Sequence, residues 1–321
     1  MQRIIDKVNE LLANGTVDRV LAWKVGEFPY DRTLGVFKDN LDGLCYDSFS
    51  ACNLSKYLIK ESKKDGKVLV LMKPCDTYGV NLLLKEHRID REKIYILAVP
   101  CKCKVDIEKI KNKGIKGITS ITEDGDILKI DTIYGEKELD RREVLCDKCL
   151  ACQGKTHVIF DEKIESDEES NVEKIDRMQA VDELEAMSPE ERFAFWRKEL
   201  SKCIRCNACR NICPACTCHK CIFDNDDMGV SSKANVDTFE ENMFHIIRAF
   251  HVAGRCTDCG ECSRVCPQNI PLHLLNRKFI KEINELYGEF QSGEDAETRG
   301  PLTFFTKDDV EPSIVYEKGR D

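Results

Sequence analysis

The chain has 321 residues, 19 of them cysteines, and a formal net charge of −9 at pH 7. The acidic charge argues against general binding to nucleic acids, and no apolar run approaches the length of a membrane span. The charged first helix lacks the apolar segment of a signal peptide, which argues against a secreted, disulfide-linked protein. We therefore expect a cytoplasmic protein of two modest domains, with cysteines that bind metal.

Helices and strands alternate over the first part of the chain. The predicted elements are a helix over residues 1–12, a strand over 17–25, a helix over 54–64, a strand over 67–72, a helix from about 80, a strand over 93–99 and a helix over 105–113. The strands KVLVLM and KIYILAV are continuous apolar runs, as in sheets that are buried on both faces. This alternation predicts an α/β domain over residues 1–160 with a mainly parallel sheet, and a β-hairpin is predicted at 117–139 around Gly125.

Two cysteines directly follow two of the predicted parallel strands. Cys75 stands in Lys73-Pro74-Cys75 after the strand at 67–72, and Cys101 stands in Val99-Pro100-Cys101 after the strand at 93–99. The carboxyl ends of neighbouring parallel strands lie at one edge of a sheet, which is where open α/β folds bind ligands. We therefore expect the two thiols to lie close together and to share a ligand.

A later cysteine pair can complete this site. Cys149-x2-Cys152 would add two thiols to Cys75 and Cys101, and these four thiolates could hold a 4Fe–4S cluster, called cluster 3 here. Cys146 is a competing ligand, because Cys146-x2-Cys149-x2-Cys152 also resembles the start of a ferredoxin run. The alternatives are a zinc site, or buried cysteines that act as small apolar residues.

An acidic segment at 161–187 predicts a solvated linker between two domains. Ser188, Pro189 and Glu191 then predict a helix start, with Ser188 as the N-cap of a capping box. The region 188–287 is predicted to be mostly helical, with helices at 238–252 and 272–287. The tail at 288–321 is acidic with short apolar patches, and it is predicted to be disordered or docked on a partner.

Two complete ferredoxin-type cysteine runs lie in this helical region. Each has the spacing Cys-x2-Cys-x2-Cys-x3-Cys-Pro, in which three cysteines bind one 4Fe–4S cluster and the fourth crosses over to the other. The predicted ligand sets are Cys203, Cys206, Cys209 and Cys266 for cluster 1, and Cys256, Cys259, Cys262 and Cys213 for cluster 2. Zinc and disulfides are the alternatives, but zinc sites use four ligands in two pairs rather than two full runs of four.

Three further cysteines come directly after the first run, at Cys216, Cys218 and Cys221. Closely spaced thiols in a cytosolic chain favour a further metal site. They could bind another cluster with an outside cysteine such as Cys45 or Cys52, bind zinc, or hold a redox-active pair.

These motifs resemble known families. Residues 12–160 resemble the N-terminal region of the beta subunits of deazaflavin-coenzyme-reducing hydrogenases and formate dehydrogenases. In that family a cysteine in a Thr-Pro-Cys-like turn, a second after the next strand and a later Cys-x2-Cys hold a 4Fe–4S cluster, and Cys75, Cys101 and Cys149-x2-Cys152 match those positions. Residues 188–287 are similar to the helical two-cluster ferredoxin of heterodisulfide reductase small subunits and succinate-dehydrogenase-type iron–sulfur proteins.

The resemblance implies an iron–sulfur electron-transfer subunit of an anaerobic complex. Its catalytic partner would be a hydrogenase, a formate dehydrogenase or a heterodisulfide-reductase-like subunit. This chain would relay single electrons between that partner and another redox carrier. No nucleophile–base pair or Gly-rich phosphate loop can be found, so no catalytic residue is predicted.

Two other functions remain open. A flavin-containing subunit would bind FAD at the sheet edge near Cys75 and Cys101, and exchange hydride with a nicotinamide or deazaflavin coenzyme. Family members that bind FAD have a Gly-rich segment near the first helix, and this chain shows none before Gly15. A zinc-stabilised scaffold or redox sensor is the third hypothesis.

Overall fold

The computed structural model describes residues 1–152, 155–165, 175–224 and 238–303. The helices are α1 (Gln2–Ala13), α2 (Leu58–Glu61), α3 (Pro74–Lys85), α4 (Ile107–Asn112), α5 (Asp147–Leu150), α6 (Gln179–Ala186), α7 (Pro189–Leu200), α8 (Ala208–Ile212), α9 (Thr238–His251), α10 (Glu261–Arg264) and α11 (Leu272–Tyr287). The strands are β1 (Arg19–Val25), β2 (Arg32–Phe37), β3 (Leu44–Cys45), β4 (Val68–Met72), β5 (Ile94–Ala98), β6 (Ile118–Asp124), β7 (Ile127–Thr132), β8 (Gly135–Asp140) and β9 (Glu162–Lys163). A mixed α/β N-terminal region and a helical C-terminal region are thus confirmed.

The larger sheet has the strand order β2-β1-β4-β5-β9, and β3 also pairs with β1. The pairs β1–β4, β4–β5 and β5–β9 are parallel, whereas β2 and β3 are antiparallel to β1. Apolar side chains of α1 and α3, including Val8 and Val80, join those of β1, β4 and β5 in one core. Burial of the whole of β4 explains why its sequence is apolar without alternation.

The register of β4 and β5 positions the two predicted thiols. Met72 pairs with Ala98 at the carboxyl ends of these strands. Cys75 and Cys101 therefore each follow at the same distance along the chain, and both leave the sheet at the same edge. Pro74 at the first turn of α3 starts that helix immediately after β4.

The predicted hairpin is part of a second, three-stranded antiparallel sheet. β6 and β7 pair on either side of Gly125, which has a φ of +63° that glycine adopts without strain. β8 pairs with β7 and extends the hairpin. The sequence did not predict β8 because its residues (GEKELD) are mostly charged and largely exposed, so they show no apolar alternation.

The segment at 161–187 contains more structure than the predicted linker. Glu162–Lys163 forms β9, which pairs with Leu97 and Ala98 of β5. Gln179–Ala186 forms α6, whose Val181 and Leu184 pack against Leu274 of α11. Residues 166–174, where much of the acidic run lies, are outside the described residues.

The helical region packs α7, α9 and α11 together. The predicted capping box is present at α7, where the backbone N–H of Glu191 donates to Ser188 Oγ at 3.2 Å and that of Ser188 donates to the Glu191 carboxylate at 3.0 Å. The rings of Phe250 on α9 and Phe279 on α11 meet edge to face, with centroids 4.7 Å apart. None of the helices in the described ranges is long and apolar enough to cross a membrane.

The two regions are in direct contact. Arg255 and Glu86, just after α3, form an ion pair at 2.7 Å. Asn81 of α3 donates to the carbonyls of Gly293 and Glu294, both at 3.1 Å. At Gly293, which has a φ of +80°, an added Cβ would lie 2.1 Å from the Tyr78 carbonyl oxygen. The first part of the predicted tail therefore docks on α3 of the same chain, and residues 304–321 lie outside the described part.

Candidate metal centres

The four thiols predicted for cluster 1 share one small cavity. Its lining includes Cys203, Cys206, Cys209 and Cys266, so the last cysteine of the second run stands among the first three of the first run. Cys206 is exposed and Cys209 is buried. This placement supports the crossed ligand set, in which Cys266 belongs to cluster 1.

The two cysteine runs have the same backbone conformation at equivalent positions. Arg205 and Asp258, each two residues after the first cysteine of a run, have φ values of 53° and 52°. Asn207 and Gly260, each following the second cysteine, have φ values of 59° and 66°. Such left-handed residues tighten the loop, and the Arg205 N–H donates to the Cys203 sulfur at 3.3 Å. Both loops therefore curl around a site in the same way.

The thiols predicted for cluster 2 also lie together. The pKa of Cys259 is raised to about 11 and that of Cys262 to about 12, mainly by burial, and the nearby charge of Cys213 contributes to both rises. Burial likewise raises the pKa of Cys256, and Cys259 and Cys213 add to this effect. Cys213, the fourth cysteine of the first run, therefore stands among the first three of the second run.

A buried arginine lies between these two sets. Arg248 of α9 is 3% exposed, and its guanidinium group hydrogen-bonds the thiols of Cys262 and Cys216. It also lies near Cys209 and Cys213, and no ion pair joins it to a carboxylate of the described residues. A buried cation needs negative charge nearby to offset its desolvation. Iron-bound thiolates would supply that charge, so the pocket fits anionic clusters.

The third predicted set gathers at the edge of the larger sheet. Burial raises the pKa of Cys75 well above its ordinary value, and the neighbouring charges of Asp76 and Cys101 add to this rise. Tyr46 lies beside both thiols and donates a 2.5 Å hydrogen bond to the Pro100 carbonyl. The charge of Cys152 acts on Tyr78 together with that of Cys75. These contacts place Cys75, Cys101 and Cys152 in one neighbourhood.

Cys149 reaches this neighbourhood with two further thiols. Its side chain hydrogen-bonds those of Cys103 and Cys146, and its sulfur accepts from the Lys104 N–H at 3.2 Å. Cys103 was not predicted as a candidate ligand, although the spacing Cys101-x-Cys103 offered a signal. The structure thus presents six thiols around the predicted site, and Cys146 and Cys103 both compete as ligands.

The three extra cysteines are not gathered into one site. Cys216 hydrogen-bonds Cys213 and Arg248, so it borders the cluster 2 set. Cys221 instead lies beside Arg210, which pairs with Asp224 at 2.7 Å, and Cys218 is exposed. Within the described ranges, no three His, Cys, Asp or Glu side chains are placed to hold a single metal ion.

Cys45 and Cys52, the two outside cysteines that could complete such a site, lie elsewhere. Cys45 pairs with Trp23 in the larger sheet, and burial raises the pKa of its thiol to about 11. Cys52 hydrogen-bonds Tyr57, with Glu261 and Arg264 nearby. A cluster that joins either one to Cys216, Cys218 and Cys221 therefore has no support in the described structure.

A buried ion-pair network joins the third site to the cluster 2 loop. Glu261, between Cys259 and Cys262, is fully buried and accepts hydrogen bonds from Lys148 Nζ, from Arg264 Nε at 2.8 Å and from the Asn53 N–H at 3.1 Å. Lys148 precedes Cys149 in the chain and also donates to the Ala51 carbonyl at 2.8 Å. Burial alone would raise the pKa of Glu261, but Arg264 and Lys148 hold it well below its usual range.

A polar cavity of about 580 Å³ lies at the junction of the two regions. Arg32, Phe49 and Cys146 line it from the N-terminal region, and Arg264 and Cys266 line it from the helical region. The cavity thus borders the cluster 1 set and the competing ligand Cys146. Its lining does not include Cys75 or Cys101, near which the FAD hypothesis places the flavin.

Comparison with known proteins agrees with the cysteine geometry. The family model described as "4Fe-4S dicluster domain" matches residues 199–270, which contain both cysteine runs. This stretch carries all eight thiols predicted for clusters 1 and 2.

The dicluster domain is one part of a longer likeness. The chain is 26% identical to the F420-dependent formate dehydrogenase subunit beta of Methanocaldococcus jannaschii, over 87% of this chain and 88% of the relative. It is 25% identical to the F420-dependent formate dehydrogenase 1 subunit beta of Methanococcus maripaludis, over 85% and 87% of the two chains. These homologues confirm the resemblance to the beta-subunit family.

A solved structure of the F420-reducing [NiFe] hydrogenase complex from Methanosarcina barkeri also shows a weak likeness. The TM-score is 0.35 at 13% identity, and the match covers 45% of this chain and 56% of that chain. This value is too low to support an argument about shared function.

Proposed function

We propose that this chain is the iron–sulfur electron-transfer subunit of a formate dehydrogenase complex, and that it relays single electrons through three 4Fe–4S clusters. The dicluster domain would hold clusters 1 and 2, and Cys75, Cys101, Cys149 and Cys152 would hold cluster 3. The formate dehydrogenase partner is suggested by the names of the homologous beta subunits. Another redox carrier would exchange electrons with the opposite end of the relay.

The contact between Lys148 and Glu261 is the observation that carries this proposal. Lys148 adjoins Cys149 of the third set, and Glu261 lies between two cysteines of the cluster 2 set. Because both side chains are buried and directly paired, they fix the spacing between the two sites. A relay needs such a fixed spacing, whereas a freely diffusing ferredoxin does not need a second region.

The arrangement also suggests the order of the sites. Cluster 2 would lie between the other two clusters. The Lys148–Glu261 pair would link it to cluster 3, and the crossed cysteines Cys213 and Cys266 would link it to cluster 1. Cluster 1 has the exposed ligand Cys206 and would face a partner at the surface. Bound clusters would supply one-electron chemistry. The residues of this chain would hold the clusters, tune their reduction potentials and limit the access of water to them.

Metal analysis of anaerobically purified protein tests the number of clusters. About twelve irons and twelve sulfides per chain are expected for three 4Fe–4S clusters. About eight would remove cluster 3 from the proposal, and zinc without sulfide would overturn it entirely. The partner is tested by native co-purification, in which a formate-oxidising subunit is expected and a partner of unrelated chemistry would contradict the assignment.

A cysteine variant tests the ligands of cluster 3. Cys149→Ala is expected to lose about four irons while the dicluster signals remain. Cys45→Ala is the matched control, because Cys45 lies beside Arg32 and Asp47 rather than in the thiol group. Full iron content in the Cys149 variant would refute Cys149 as a ligand of cluster 3. Loss of iron in Cys146→Ala would instead identify Cys146 as a ligand.

A flavin-containing subunit is the second candidate, because the junction cavity of about 580 Å³ has the size of a cofactor pocket. The Phe49 ring in its wall could stack on a heteroaromatic cofactor. The cavity has no surplus of positive charge for a phosphate group, because Arg32 pairs with Asp47 and both Lys148 and Arg264 pair with Glu261. Flavin released from denatured holoprotein and detected by fluorescence would support this function. Iron without flavin would exclude the flavin-containing subunit and leave only the electron relay.

A further inference from the structure

The segment between the two cysteine runs has a role beyond the spacing of the clusters. It contains α9, which packs against α7 and α11. Arg248 of α9 is buried, with 3% of its surface exposed, and it lies near thiols of both predicted ligand sets. Two nitrogens of its guanidinium group, Nε and Nη1, have no hydrogen-bond partner among the described residues.

The surroundings of Arg248 are thiols from both sets. Its hydrogen bonds go to Cys262, a predicted ligand of cluster 2, and to Cys216. Its charge also acts on Cys209, from the cluster 1 set, and on Cys213, from the cluster 2 set. A single cation therefore lies close to both predicted ligand sets, and two of its donors have no partner among the described residues.

We propose that Arg248 is a positioning residue that raises the reduction potentials of clusters 1 and 2 together. This inference rests on the proposed function, because it requires both clusters to be bound. A bound cluster would gain one negative charge on accepting one electron from a reductant. A fixed positive charge and N–H donors stabilise that reduced state more than the oxidised state, which raises the potential.

The same geometry predicts that the two clusters respond unequally. Arg248 donates directly to the Cys262 sulfur, so the potential of cluster 2 depends on a hydrogen bond as well as on charge. Cluster 1 is affected through charge alone, near Cys209. The thiols that act most strongly on Arg248 include none of the predicted ligands of cluster 3, so the potential of cluster 3 should stay constant and serve as an internal reference.

A redox titration with dithionite and mediators, followed by electron paramagnetic resonance, tests this inference on the full chain. In R248M the reduction equilibrium of cluster 2 should fall at least tenfold, which is 59 mV for a one-electron couple. Cluster 1 should move in the same direction by less. R248K keeps the positive charge but loses the planar guanidinium group and its several N–H donors. Its reduction potentials should therefore lie between those of wild type and R248M.

The matched control is R197M, which removes the same charge from an exposed position on α7. Its potentials should equal those of wild type. If R248M binds full iron and its potentials also equal those of wild type, the inference is overturned. If wild type itself contains no iron–sulfur clusters, the proposed function fails instead, and metal analysis separates these two results.

A second measurement is available if R248M cannot retain its clusters. Wild-type protein with ¹⁵N-labelled arginine should show a nuclear coupling between the reduced dicluster domain and a guanidinium nitrogen in pulsed paramagnetic resonance. No coupling in the fully loaded wild type would overturn the inference without any variant. R248K grown on the same labelled arginine provides the blank, because it keeps Arg205, whose N–H donates to the Cys203 sulfur, and lacks only the Arg248 nitrogens.

Discussion

Removal of the Lys148 ammonium group should strongly destabilise the contact between the two regions. Lys148→Met keeps the length of the side chain but leaves Glu261, which has no exposed side-chain surface, without one of its two cationic partners. Loss of one partner of a buried ion pair costs about 3–5 kcal/mol. Arg264 still compensates part of the charge, so we expect a loss of about 3 kcal/mol, at the lower end of that range.

Anaerobic urea unfolding of the loaded protein, followed by circular dichroism, measures this loss. The double variant with Glu261→Gln isolates the pairwise contribution, since the combined loss should be smaller than the sum of the two single losses. Lys202→Met is the control, because Lys202 pairs with Glu199 at 2.7 Å on the partly exposed end of α7 and should cost no more than about 1 kcal/mol. A loss below about 1 kcal/mol in Lys148→Met would refute the reasoning, because it would equal that of a surface pair.

The pH dependence gives an independent measure of the same network. The pKa of Glu261 is depressed in the folded protein, so its contribution is present above the unfolded value of about 4.3 and is lost as the pH falls towards the folded value. In Lys148→Met the folded pKa is less depressed, and the loss of stability below about pH 4.3 should be smaller. Equal acid sensitivity in wild type and variant would exclude Lys148 as a cause of the depression.

Three further changes probe the fold that positions the sites. Gly293→Ala should detach the segment at 288–300 from α3, because the new Cβ would lie 2.1 Å from the Tyr78 carbonyl oxygen; faster proteolysis there is expected, and an unchanged digestion pattern would contradict it. Ser188→Ala should cost about 1 kcal/mol by removing the N-cap of α7, and equal thermal stability would show that the cap is dispensable. Leu69→Ala, at a fully buried position of β4, should cost about 2–5 kcal/mol, with Leu34→Ala on the more exposed β2 as the control; similar unfolding midpoints would contradict the assigned core.

The sequence alone indicated the features that depend on local spacing. Both cysteine runs place their ligands on short loops, so the distance between ligands follows from the number of residues between them. The capping box at Ser188 and the apolar run of β4 are also local features. The first depends on the residues of one helix turn, and the second on the residues of one strand. The strand β8 is the counterexample, since its charged residues pair through the backbone without an apolar pattern.

The tertiary structure decided which distant groups meet. Cys103 joins Cys149 and Cys146 because the turn after β5 folds back on α5, and no spacing rule relates those positions. Arg248 reaches the thiols of both runs because α9 packs between α7 and α11, while Lys148 and Glu261 meet only when the sheet and the helical region are assembled. Burial makes these contacts strong by excluding water, and burial depends on the whole fold rather than on the order of residues in any one segment.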